Sequence, residues 1–169
     1  MLSAFRTASL FCASFGLLAL SGCGLLSQEF TGEVKIGFSV DNDSNTYDSN
    51  FTFDPNENED VRENRESIDR GQVTAVTLMV TSIRNGNLAQ YGRGELKADN
   101  VVVSTFDLVP IVANESYRMS MTSEQRQFAS ELAFDRNAPI EFDFTGSTDS
   151  GPIHLDAQAI FTLEFEASL

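Results

Sequence analysis

The chain has 169 residues, of which 25 are acidic and 11 are Lys or Arg, for a formal net charge of −14 at pH 7. A surface of that sign repels phosphate backbones and anionic headgroups, which argues against nucleic acid as a partner and against charge as a route to a membrane. The length suits one domain with a real hydrophobic core, and the sequence contains no visible internal repeat or second domain.

The first element is an N-terminal segment. Arg6 precedes Ala8 to Leu20, an uncharged run of 13 residues that ends in Leu20-Ser21-Gly22-Cys23. Such a run matches the 7–15-residue apolar core of an export signal and is shorter than the roughly 20 residues of a membrane-spanning helix. Leu-Ser-Gly-Cys behind such a core resembles the lipobox of bacterial lipoprotein precursors. The resemblance implies that residues 1–22 are a cleaved signal peptide and that the Cys23 thiol carries fatty acyl chains. Residues 23–29 are then a lipidated cysteine and short tether, and residues 30–169 the folded domain. It further implies a membrane partner through the lipid anchor and a place in the cell envelope. Gly24 stands where an inner-membrane retention aspartate would be, which implies the outer membrane in a Gram-negative cell. Each buried acyl methylene contributes about 0.8 kcal/mol, so several chains anchor firmly. Cys12 would leave with the signal and Cys23 would be consumed by lipid, so no thiol would remain for a disulfide, a metal or a nucleophile.

From Phe30 the pattern changes to period two. Phe30, Val34, Ile36, Phe38 and Val40 share one parity while Glu33, Lys35, Ser39 and Asp41 share the other, as in a half-buried strand. Asp41 to Asp48 is a polar stretch of turn formers, and Phe51 and Phe53 mark a second, shorter strand. Pro55 to Asp69 is strongly charged and reads as a loop with a short surface helix. Gln72 to Ile83 is apolar on both parities, as expected of a strand inside a sheet. Asn85-Gly86 then signals a hairpin, with Leu88 to Lys97 as the partner strand and Gly92 and Gly94 marking a bulge or an edge. Asp99-Asn100 turns the chain into a strand from Val101 to Leu108.

Ser116 to Met121 predicts one more strand. Thr122 or Ser123 caps a helix of about 12 residues, with Gln125 completing a capping box and Pro139 ending it. Ile140, Phe142 and Phe144 alternate again. In the last strand, Ile153, Leu155, Ala157, Ala159, Phe161, Leu163, Phe165 and Ala167 form an unbroken apolar face. Its length suggests a bend or a change of partners midway. Seven or eight short strands predict a mainly β fold. We expect a single antiparallel β-sandwich, immunoglobulin-like or transthyretin-like, with one or two short helices.

Chemistry-bearing patterns are few. Asp149-Ser150-Gly151 matches the aspartic-protease triplet but follows Gly146-Ser-Thr instead of a hydrophobic strand, and no second triplet exists. A trypsin-like reading needs a histidine upstream, whereas the only one, His154, lies downstream. A Gly-rich loop and a histidine on the polar strand face are the expectation. Asp41, Asp43 and Asn45, with Asp48 near in sequence, resemble the opening of an EF-hand loop, but Thr46 replaces the turn glycine and Thr52 the bidentate glutamate. A weak calcium site built from those four residues is the metal alternative to a solvated loop, and no other cofactor is expected. Three Tyr and no Trp offer little for stacking sugars.

The acidic segment leading into Arg65-Glu-Ser-Ile-Asp-Arg-Gly-Gln-Val-Thr is similar to that of small uncharacterised bacterial lipoproteins with one mostly-β domain, a likeness that brings no activity with it. The expected function is a non-enzymatic, lipid-anchored envelope protein whose sandwich binds an envelope protein partner or supports an assembly. A small-ligand or calcium-binding envelope module is the alternative.

Overall fold

A computed structural model describes residues 27–136 and 138–168. Cys23, the expected signal peptide and residues 23–26 of the expected tether lie outside the described residues, while Ser27 to Glu29, counted with that tether from the sequence, already belong to a strand. Eight strands form among the described residues: β1 (Ser27–Asn42), β2 (Thr46–Phe53), β3 (Ile68–Ile83), β4 (Tyr91–Ala98), β5 (Val101–Pro110), β6 (Ser116–Arg118), β7 (Ile140–Thr148) and β8 (Ile153–Ser168). They make two antiparallel four-stranded sheets, ordered β1-β8-β3-β6 and β2-β7-β4-β5. The expected sandwich is therefore present.

The pairings are nested: β1 with β8, β2 with β7, β3 with β6, and β4 with β5. The chain is one long antiparallel ribbon wrapped into two layers, the strand order of a jelly roll. That order differs from the immunoglobulin and transthyretin arrangements named from the sequence, because strands remote in sequence pair and consecutive strands mostly change sheets. At the ribbon's tip, Asp99 and Asn100 take φ of 51° and 63°. A two-residue hairpin twisted to match its strands demands positive φ at both central positions, and Asp and Asn tolerate it.

The same topology overturns two sequence expectations. Asn85-Gly86 does turn the chain, with Gly86 at φ +92°. However, β4 pairs with β5 and β7, not with β3. The turn launches a crossing between sheets, which the local dipeptide signal cannot distinguish from a hairpin. Gly92 and Gly94 flank a bulge as expected, but in an interior strand and not at an edge. In addition, β8 changes no partner: it holds β1 on one side and β3 on the other along its length.

Between the sheets, every odd-numbered residue of β8 from Ile153 to Ala167 is buried. Phe38, Phe51, Phe53, Phe142, Phe144 and Phe161 interlock at ring-centroid distances of 4.4–6.4 Å. The two-parity apolar character of β3 has a cause: bulges at Val73/Ala75 and Val80/Ser82 shift its phase, so Val73 and then Val76, Leu78 and Val80 point inward. The charged segment after β2 forms the short helix α1 (Glu59–Asn64), capped by the Asn58 side chain and fixed by fully buried Val61. The second helix, α2 (Ser123–Ser130), opens with the expected Thr122–Gln125 capping box and continues as a π-turn to Asp135. Among the described residues no helix is long and apolar enough to cross a membrane.

Candidate functional site

Strand direction divides the connections into two sets. At one end of the sandwich lie the start of β1, the α1 segment, the Asp99-Asn100 turn and the stretch containing α2. At the other end lie the β1–β2, β3–β4, β5–β6 and β7–β8 connections, residues 43–45, 84–90, 111–115 and 149–152. At about 3.3 Å per residue, the 16-residue β1 separates the two ends by roughly 50 Å. We refer to the second end as distal, because β1 begins at the first.

Hydrogen bonds stitch the distal loops together. Asp149 accepts the Gln90 and Tyr91 N–H groups at 3.0 Å each, and the Ser150 hydroxyl donates to the Leu88 carbonyl. The Ile111 N–H donates to the Gln90 carbonyl at 2.7 Å, and the Thr148 N–H to the Asn45 carbonyl at 2.8 Å. The Asp149 triplet thus serves as a loop staple, with no hydrogen bond to His154 among the described residues. Those N–H groups, Tyr91 first, hold the Asp149 carboxyl below its ordinary value of 3.8. A carboxyl depressed by folding contributes stability that is complete above that ordinary value and is lost as pH falls through the lower folded one. Asp149→Asn should therefore flatten the acid limb of a stability–pH profile from urea melts below pH 3.8. Superimposable acid limbs would show that the loop does not depend on the charge.

The outer face of β1-β8-β3 at this end carries a polar network. Arg84 pairs with Asp41 at 3.1 Å, approaches Asp156 at 3.7 Å, and donates to the Val40 and Leu155 carbonyls. Asp156 accepts the hydroxyls of Ser39 and Ser82, each at 2.7 Å, across three strands, and Ser82 first and then Ser39 hold its carboxyl low. His154 Nδ1 bonds Asp41, and its Nε2 lies 3.6 Å from Asp43. That bond is the first cause of the lowered Asp41 carboxyl, ahead of Arg84. No serine or threonine hydroxyl bonds His154 among the described residues.

The four residues of the EF-hand-like run go separate ways. Asp41 faces Arg84 and His154, the Asp43 side chain is fully exposed, Asn45 contributes its backbone carbonyl to Thr148, and Asp48 stands exposed on β2 opposite Thr145. Among the described residues no group of three or more His, Cys, Asp or Glu side chains is arranged to hold a metal ion.

Sequence reasoning did not single out the apolar side chains at the distal end. Ile83, Leu88, Tyr91 and Val112 are large, apolar and exposed, Leu88 by 62%. Tyr91 pairs with Pro110, and the Gln90–Ile111 bond brings their two loops together. The core toward this end holds a narrow apolar cavity of about 30 Å³, lined by Val80, Val109, Ile111, Tyr117 and Leu155 among others. Tyr47, placed in a polar loop by its sequence, is instead core, and so is no platform for a ligand. No protein-family model, curated protein or solved structure matches this chain.

Proposed function

We propose that this chain is a non-enzymatic, lipid-anchored protein of the cell envelope that holds out the distal end of its sandwich to a protein partner. The single observation that carries the reading is the exposed apolar group Ile83, Leu88, Tyr91 and Val112, at the end opposite the start of β1. Exposed apolar side chains brought to one end of a domain supply contact area for a partner, and aromatic side chains are favoured at interface centres. The lipobox-like Leu20-Ser21-Gly22-Cys23 supports the anchor. The engagement of His154 by carboxylates, with no hydroxyl on it among the described residues, supports a binding role over catalysis. A jelly-roll order hosts many functions and favours none by itself.

Two measurements test this proposal. Wild-type protein expressed in bacteria should incorporate labelled fatty acid, and Cys23→Ser should incorporate none; an unlabelled wild type would overturn the anchor. Cross-linking in intact envelopes should then give discrete adducts that Leu88→Ser combined with Tyr91→Ser removes without changing the melting temperature. Adducts that survive both changes would show that the partner binds elsewhere.

A further inference from the structure

The β3–β4 connection carries an Asn-Gly dipeptide. Asn85-Gly86 is the only Asn-Gly pair in the chain. Both residues are exposed. Among the described residues, neither the Asn85 side chain nor the Gly86 N–H enters a hydrogen bond. Some of the other asparagines are tied down by their side chains. Asn42 accepts from Ser44, Asn58 caps Val61, Asn64 donates to the Asp60 carbonyl, and Asn87 accepts the His154 N–H while donating to Ala89. Each of those four also precedes a residue with a side chain, whereas Gly86 has no Cβ and sits at φ +92°, where residues with one are strained.

We propose that Asn85 is a deamidation and isoaspartate-forming site in the folded protein. The Gly86 backbone nitrogen, its proton passed to hydroxide, attacks Asn85 Cγ. The new N–Cγ bond closes a five-membered imide as the Cγ–Nδ2 bond breaks, and the side-chain nitrogen takes a proton from water, returning the hydroxide, and leaves as ammonia. Water then opens the imide at one of its two carbonyls. Opening at one restores the backbone with an aspartate; opening at the other routes the backbone through the side chain as isoaspartate. Water is the only co-reactant consumed.

The fold gives the product a consequence. The turn is pinned to one residue of β8 at both ends, by the Arg84 N–H on the His154 carbonyl at 2.9 Å and by the His154 N–H on Asn87 Oδ1 at 3.0 Å. Isoaspartate inserts a methylene into the backbone between those two anchors. Either product adds a carboxylate next to Arg84, which already serves Asp41 and Asp156. Leu88, two residues beyond the turn, belongs to the exposed apolar group. The modification therefore alters the distal end itself, whether or not a partner binds there.

The test follows the full-length protein during incubation in mildly alkaline buffer, once under native conditions and once in urea. Digestion at acid pH and mass spectrometry then read the mass difference between –OH and –NH2 at each asparagine. Methyl transfer to isoaspartyl carboxylates distinguishes the two products. In the native protein, residue 85 should convert about tenfold faster than any other asparagine. Isoaspartate should be the main product, and Asn85→Gln should abolish the signal at that position. Conversion confined to the urea-unfolded chain, or no faster at Asn85 than at Asn87, would overturn the proposal.

Discussion

Phe161→Ala should cost about 3–5 kcal/mol of stability, the range for emptying a well-packed aromatic site in a core. Phe161 is 1% exposed and sits at the centre of the aromatic cluster, with ring centroids 4.4 Å from Phe53 and 5.2 Å from Phe142. On its own sheet it lies between Val34 of β1 and Val76 of β3, both buried. Truncation removes transfer energy and leaves a cavity between two sheets pinned by their ladders, so little of the void can collapse. The comparison is Glu164→Ala, three residues along and on the opposite face. That side chain is exposed and accepts one hydrogen bond from Gln72, so its loss should change stability by under about 0.5 kcal/mol. Urea melts of both variants decide the matter. Equal losses would mean that the register of β8 is wrong.

Gly146→Ala should destabilise by about 1–3 kcal/mol or more, because one methyl group there has nowhere to go. Tyr47 lies flat on Phe144, ring centroids 5.2 Å apart, and its hydroxyl donates to the Arg93 carbonyl at 2.9 Å. The ring's tip fits a slot between two glycines of neighbouring strands, Gly94 of β4 and Gly146 of β7. A Cβ at Gly146 would run into the Arg93 carbonyl oxygen, which is backbone, as well as the Tyr47 hydroxyl. Burial pushes the Tyr47 pKa up, so the hydroxyl keeps its proton and its role as donor. Tyr47→Phe keeps the ring and removes one hydrogen bond, a change of about 0.5–1.5 kcal/mol. Combining it with Gly146→Ala should recover only part of the alanine's cost, since the carbonyl remains in the way. A near-neutral Gly146→Ala in urea melts would refute the slot.

The candidate site was only partly legible. Asp41, His154 and the Asp149 loop were all visible as polar residues, but their partners were not. Asp149 acts on Gln90 and Tyr91, and Asp156 gathers Ser39 and Ser82 from two other strands. Cross-strand pairs of this kind join residues far apart in sequence, and no local pattern encodes them. For Tyr47 a signal did exist. Tyr47, Ser49, Phe51 and Phe53 share one parity on β2, but a serine in the inward row and a run of turn formers before it hid the strand's start.

By itself the sequence determined the parts of the fold that rest on local physics. Period-two burial assigned the odd face of β8, capping chemistry placed α2 at Thr122, and the Asp99-Asn100 pair turned the chain between β4 and β5. Each depends on residues within a few positions of one another. Tertiary structure alone decided which strands meet, why β3 changes phase, and that Ile83, Leu88, Tyr91 and Val112 are left exposed at one end. Strand pairing is a competition among many edges of similar local chemistry. Its outcome is set by the burial of the whole wrapped ribbon, with β1 closing on β8 across nearly the full length of the folded domain.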